Sequence, residues 1–267
     1  MVESNKPENE KPEEKEKKEN PVMKFFSDTI LRPMDKVFDG ILKAVENAGM
    51  TNQIQYPFYL TQDMLWWGIT HNLFGFEIYG SENVPPEGKA AVVCANHQSL
   101  FDPVIYCVTF AHYSRRRIHV MGKEEMFTVP LIQSYIKWCY AFPVKRGEHD
   151  EAAYQKALDF LRQGELVGMY PEGTTNLGEY GFLEPKTGAA RMAIDAKVPI
   201  LPVGITGVER ILPRSQNFPN LSEKLTVKIG EPITIHEKFF DKKDIGHDDL
   251  KKIMDLVMEK IKGLLLY

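Results

Sequence analysis

The chain has 267 residues, 33 Lys and Arg against 37 Asp and Glu, a formal net charge of −4 and 43% hydrophobic residues. That length suits one large domain, or a domain of about 200 residues with an appendage, and the near-neutral balance excludes a global pull toward nucleic acid or an anionic bilayer. The longest run free of charged residues, Asn47–Gln62, is too short and too polar for the ~20 apolar residues of a spanning helix; the three cysteines form no C-x-x-C pair, which excludes a disulfide scaffold and a cysteine-based zinc site and fits a reducing compartment.

Residues 1–20 hold seven Glu and five Lys, with Val2 the only aliphatic side chain after Met1. Such a segment buries too little apolar surface to offset its ordering entropy, so a disordered charged tail is expected. From Pro21, Met23, Phe26, Ile30, Met34, Phe38, Ile41 and Val45 recur every three or four residues, the stripe of one helical face. Pro33 kinks this helix or begins its second part, and Gly49 ends it. A second apolar segment, Phe58 to Ile69, is dense in aromatics. Residues 21–72 therefore read as an amphipathic helical hairpin that either caps the core or lies in a membrane interface.

Beyond residue 73 strands and helices alternate. Strands are expected at 74–79, 90–95, 119–121, 141–144, 166–170, 200–205 and 225–229. Helices are expected at 103–111, 125–137, 151–163, 188–196 and 248–264. Short apolar strands between helices of this length indicate an α/β domain over 73–267 with a mixed, largely parallel sheet covered by helices. In such sheets the site lies outside the carboxyl ends of the strands. There is no glycine-rich phosphate loop.

Three clusters fall at those ends. Asn96-His97-Gln98-Ser99-Leu100-Phe101-Asp102-Pro103 follows the second strand. A carboxylate on one imidazole nitrogen fixes the tautomer and leaves the other as a base; an N-capping Asp102 beside a loop His97 is the alternative. Tyr170-Pro171-Glu172-Gly173-Thr174-Thr175 follows the fifth, and its Pro and Gly turn presents the Glu172 carboxylate. Between Arg115 and Arg146, seven basic residues face only Glu124 and Glu125. Of these Lys123, Lys145 and Arg146 suit an anion, whereas Arg115–Arg117 read as a solvated basic face. Cys94 alternates into the core. An apolar Val198-Pro199-Ile200-Leu201-Pro202-Val203 completes the set.

In this order the segments resemble the glycerolipid acyltransferases, specifically the 1-acyl-glycerol-3-phosphate acyltransferases. Asn96, His97, Ser99 and Asp102 match N-H-x-S-x-x-D. Phe142 to Arg146 match the apolar stretch with its basic end. Tyr170 to Thr174 match [F/Y]-P-E-G-T, and Val198 to Val203 match V-P-[I/V]-x-P-V. The likeness covers roughly residues 74–235. Tyr140 stands where a glycine often begins the second block, Thr175 where an arginine usually follows E-G-T, and Asn176 where a serine comes next.

The resemblance implies transfer of a fatty acyl chain from acyl-ACP or acyl-CoA to the sn-2 hydroxyl of lysophosphatidic acid, without cofactor or metal. It implies His97, Asp102 and Glu172 as catalytic residues and Lys123, Lys145, Arg146, Ser99, Gly173 and Thr174 as substrate-binding ones. A backbone N–H near Val144 or Gly173 is expected at the oxyanion. A lysophospholipid acceptor in the bilayer, a membrane surface met through residues 21–72 and acyl carrier protein are the expected partners, on the cytoplasmic face, with no nucleic acid. Thr175 keeps another lysophospholipid or dihydroxyacetone phosphate open as acceptor. The other readings are a hydrolase using Ser99, for which no G-x-S-x-G elbow exists, and a non-catalytic lipid-binding protein, which would not need His97, Asp102 and Glu172 together.

Overall fold

In the computed structural model, which describes residues 24, 27–99, 101–145, 150–176, 182–211, 219–242 and 245–266, the apolar runs pair into one seven-stranded sheet. The strands are β1 (Glu77–Tyr79), β2 (Ala91–Ala95), β3 (Ile118–Lys123), β4 (Phe142–Val144), β5 (Leu166–Met169), β6 (Ile200–Thr206) and β7 (Thr226–Ile229), in the order β1-β7-β6-β2-β5-β3-β4. Every ladder is parallel except β6 with β7, so β1 and β7 run against the other five. The helices are α1 (Arg32–Asn47), α2 (Gln55–Phe74), α3 (Asp102–Ser114), α4 (Ile132–Trp138), α5 (Glu151–Arg162), α6 (Gly188–Ala196), the single turn α7 (Val208–Ile211) and α8 (His247–Leu264).

Strand β2 is buried along its whole length, as a central parallel strand must be when helices cover both faces. Its alternation splits the core. Val92 and Cys94 face the cluster built with Ala157, Met192 and Met254 of α5, α6 and α8. Ala91, Val93 and Ala95 face the cluster built with Ile105, Tyr106 and Phe110 of α3. The carboxyl ends of β2, β5, β3 and β4 then lie side by side on one edge, each about 5 Å from the next.

The helix expected over 125–137 is broken. A 3-10 turn, Glu124–Thr128, leads to extended Val129, and α4 starts at Ile132. Pro130 is the cause, because its ring disfavours the helical region for the residue before it. Leu131 then takes φ +64 to turn the chain. Tyr140 likewise takes φ +65, a region that a glycine enters freely and a tyrosine enters at ~1–2 kcal/mol. Its ring packs edge-on to Tyr59 at 5.4 Å and to His119 at 5.3 Å, which offsets that strain.

The expected hairpin divides into two unlike helices. Pro33 sits in the first turn of α1, and Gly49 with φ +67 follows its end. The apolar side of α1 points outward, with Met34 45%, Val37 61% and Ile41 45% exposed. The docked side mixes Asp35 and Asp39 with buried Leu42 and Val45. Buried Asp35 accepts hydrogen bonds from the Leu131 N–H at 3.2 Å and from the Gln133 and Ser134 side chains, and Lys137 donates to Asp39 at 2.7 Å. A globular surface helix usually turns its apolar stripe to the core, whereas Met34, Val37 and Ile41 stay outside here. By contrast, α2 buries Tyr59 and Phe74 and stacks Trp67 on His112, ring centroids 3.9 Å apart. It is part of the domain's own packing. Met23, Phe26 and the tail 1–20 lie outside the described residues. Among those described, no helix is long and apolar enough to cross a membrane.

Candidate active site

Where β2 ends, Asn96 extends its ladder with a side chain. Its Oδ1 accepts from the Ile205 N–H and its Nδ2 donates to the Ile205 carbonyl, both at 2.8 Å. The next residue, His97, is buried and lies 2.9 Å through Nδ1 from Asp102 Oδ2. The same carboxylate oxygen accepts the backbone N–H groups of Gln98 and Ser99 at 2.7 and 2.8 Å. Asp102 therefore does not cap α3 as the Asp-Pro pair suggests. Phe101 is the cap residue, and the carboxylate is spent on the turn before the helix. A carboxylate so bonded only accepts, so Nδ1 carries the proton and Nε2 presents its lone pair.

Four residues after β5 lock this imidazole in place. Glu172 is buried, and its Oε1 accepts the His97 N–H at 3.2 Å while Oε2 accepts the Leu183 N–H at 3.0 Å. The Asn176 N–H donates to the His97 carbonyl at 2.6 Å. The Tyr170 ring stacks on the imidazole, centroids 4.0 Å apart and planes 15° from parallel. Finally, the Thr175 hydroxyl lies 2.9 Å from His97 Nε2; with Nδ1 protonated, it is the donor. Gly173 makes the intervening turn at φ +71, its N–H donating to the Tyr170 carbonyl at 3.0 Å.

His97, Tyr170 and Thr175 open onto a cavity of about 200 Å³. Tyr59 and Trp66 of α2, Val104 and Val108 of α3, Val120 of β3 and Ile136 of α4 make its walls mostly apolar. Lys123 lines it too, with Nζ 3.1 Å from Glu125 in an exposed pair. Such a pair contributes ~0–1 kcal/mol and gives way readily to another anion. Register sets Lys123 opposite Val144, so Lys145 follows at the adjacent strand end. Met126 lines the cavity and is also 40% exposed, which places its mouth beside the outward apolar side chains that include Val129 and Ile132.

Other expected site residues sit differently. The Ser99 hydroxyl accepts the Phe101 N–H at 3.2 Å inside the turn, a structural use rather than a binding one. Among the described residues Glu172 bonds to no basic group; it braces the backbone of His97. Among the described residues the cavity lining contains neither Val144 nor Gly173, and the Gly173 N–H is already taken, so neither is placed to hold an oxyanion. Thr174 is exposed, and Arg146 lies outside the described residues. Arg116, expected in a solvated face, is buried and donates to the carbonyls of Pro85, Pro86, Lys89 and Gly164, while Arg117 pairs with Glu165.

Cys94 faces the α5–α6–α8 side of the sheet, away from the cavity. Burial pushes its thiol well above the ordinary range, so it stays protonated and unreactive. On the α2 wall lies a carboxyl with no sequence signal. Asp63 lines the cavity and both of its oxygens lack hydrogen-bond partners among the described residues. Burial raises its pKa to about 6. Of the residues that the sequence left unassigned, Asn96 and Tyr170 lay within motifs, and Thr175 was visible as a departure from one.

Comparison with known proteins identifies the family. An acyltransferase family model matches residues 75–206. The 1-acyl-sn-glycerol-3-phosphate acyltransferase of Bacillus subtilis is 30% identical over 60% of this chain and 74% of its own length. Its namesake in Haemophilus influenzae is 28% identical over 74% of this chain and 83% of its own length. The crystal structure of the 1-acyl-sn-glycerophosphate (LPA) acyltransferase from Thermotoga maritima superposes with a TM-score of 0.60 at 20% identity, covering 90% of this chain and 93% of that one. The last of these shows the shared fold.

Proposed function

The chain belongs to the acyltransferase family that includes the 1-acyl-sn-glycerol-3-phosphate acyltransferases, and from that membership we propose that it acylates the sn-2 hydroxyl of lysophosphatidic acid to give phosphatidic acid. The observation that carries the reading is His97, which lines an apolar cavity with its Nδ1 held by Asp102.

The acceptor hydroxyl takes the place of the Thr175 hydroxyl at Nε2. His97 accepts its proton as the oxygen attacks the carbonyl of an acyl thioester, carried by acyl carrier protein or CoA. The C–S bond breaks and the imidazolium returns the proton to the departing thiolate. General-base help of this kind contributes ~10²–10⁴-fold. Asp102 stabilises the imidazolium. Glu172, Asn176 and Tyr170 are positioning residues, because they hold the backbone and the ring plane of His97 and do not touch substrate. The acyl chain occupies the apolar cavity. Lys123 and Lys145, with Arg146 following, bind the phosphate at the ends of β3 and β4.

The outward apolar row of α1 meets the bilayer interface, so that the cavity mouth near Met126 receives a lipid without the enzyme spanning the membrane. The described part of residues 21–72 thus divides between an interfacial helix and a wall of the catalytic domain. Thin-layer analysis of the purified protein with an acyl thioester and a panel of labelled acceptors tests the reading. Phosphatidic acid should form fastest. Faster product from another lysophospholipid or from dihydroxyacetone phosphate would replace the acceptor, and no product from any would remove the assignment.

A further inference from the structure

Thr175 supplies more than a departure from a motif. Its hydroxyl donates to Nε2 of an imidazole whose Nδ1 donates to a buried carboxylate, both at 2.9 Å. A hydroxyl within reach of a base that a third group orients is the arrangement of an activated nucleophile. The hydroxyl also lines the apolar cavity that the acyl chain occupies in the reading above. We propose that Thr175 accepts the acyl group when no acceptor is bound, giving the protein a slow thioester hydrolase activity through an acyl-threonine. The inference rests on the acyltransferase reading for the donor, and on the Thr175–His97–Asp102 geometry for the chemistry.

The steps balance without further reactants than water. His97 Nε2 accepts the Thr175 proton, Oγ1 bonds to the thioester carbonyl carbon, the C–S bond breaks and the proton passes to the leaving thiolate. A water molecule then attacks the new ester. His97 takes its proton and returns it to Oγ1 as the C–O bond to threonine breaks, and the fatty acid leaves. Lysophosphatidic acid and Thr175 compete for one nitrogen, so acceptor suppresses the acyl-threonine. The rival hydroxyl, that of Ser99, is committed to the Phe101 N–H and does not enter this scheme. Cys94, on the other face of the sheet, is likewise outside it.

The test incubates the full chain with hexadecanoyl-CoA or hexadecanoyl-acyl carrier protein in the absence of acceptor. Acid-quenched protein is read by intact mass and peptide mapping, and released fatty acid is counted in parallel for the case in which the ester turns over too fast to accumulate. The wild type should carry one acyl group on Thr175 or release fatty acid, with lysophosphatidic acid suppressing both. Thr175→Ser should keep them. Thr175→Val and His97→Ala should lose the adduct and at least tenfold of the release. An adduct that maps elsewhere, or release unchanged in Thr175→Val, overturns the proposal. If the wild type makes phosphatidic acid yet shows no Thr175-dependent adduct or release, the inference falls and the acyltransferase reading stands. If Thr175 is acylated but no glycerol-based acceptor is, the acyltransferase reading falls and the inference stands.

Discussion

Two histidine–aspartate pairs stand beside the same cavity, and their environments oppose each other. His97 and Asp102 meet at 2.9 Å, and the carboxylate also takes two backbone N–H groups. His112 Nδ1 and Asp63 Oδ2 lie 3.6 Å apart, and neither those atoms nor the second Asp63 oxygen has a hydrogen-bond partner among the described residues. Burial pushes Asp63 up to about 6 and, with Arg115 and His71 adding repulsion, pushes His112 below its ordinary value. Ionised carboxylate and protonated imidazole therefore share little of the pH range. Identical residue types give a solvated-by-backbone base in one place and an unmet desolvation cost in the other. The donors around the carboxylate make the difference, and proximity alone does not.

The strongest way to break this contrast is to remove each histidine. His97→Ala should lower kcat for acyl transfer by ~10²–10⁴-fold with acceptor KM nearly unchanged, while His112→Ala should keep turnover. Steady-state kinetics on both variants and on Cys94→Ala checks it. Loss of activity in Cys94→Ala with retention in His97→Ala would reverse the assignment of the chemistry.

The Asp63 carboxyl should reveal itself through stability. Its folded pKa lies above the unfolded value of about 4, so the folded state holds the proton more firmly. Stability from this group is therefore greatest below pH 4 and falls as pH rises to about 6, above which the ionised carboxylate imposes its full penalty. Asp63→Asn should gain up to ~3 kcal/mol more at pH 8 than at pH 4. Urea denaturation at the two pH values measures the difference, and an equal effect at both would mean that Asp63 is not desolvated.

On the well-bonded side, Glu172→Gln replaces one accepting oxygen with a donor facing an N–H. It should cost ~1–3 kcal/mol of stability and reduce kcat with little change in acceptor KM, as expected of a residue that acts through His97. A KM effect alone would restore direct contact with the acceptor.

How much of this was legible in the sequence depends on how far apart the partners lie. The seven strands were visible because each is a short apolar run, and Gly188–Ala196 because its apolar spacing and flanking breaks are local. The break at Pro130 was also local, and the apolar periodicity on either side obscured it. His97 with Asp102 could be read because five residues separate them. Glu172 was named from its turn, but its partners could not be read, since its oxygens meet the backbone of His97 and of Leu183, the first 75 residues away. Thr175 meets His97 across 78 residues. The cap reading of Asp102 stood as an alternative because the Asp-Pro rule knows nothing of N–H groups upstream. The outward setting of Met34, Val37 and Ile41 on α1 was hidden for another reason: periodicity gives a helix two faces, and the contacts of Asp35 and Asp39 with segment 131–137 say which one is docked.

The smallest expected effect concerns that helix. Val37→Ser with Ile41→Ser should weaken binding to phospholipid vesicles about tenfold or more, since each buried side chain contributes ~1.5 kcal/mol or above, with little loss of stability because both are exposed. Unchanged vesicle binding in a sedimentation assay would place the cavity mouth away from the bilayer.

The central claim is that the acceptor hydroxyl takes the position which the Thr175 hydroxyl holds at His97. A crystal structure of the protein with bound lysophosphatidic acid tests it directly. The sn-2 oxygen should lie ~2.6–3.2 Å from His97 Nε2, with the Thr175 hydroxyl displaced and the phosphate at Lys123. Lysophosphatidic acid bound with the Thr175–His97 hydrogen bond intact and its hydroxyl elsewhere would contradict it.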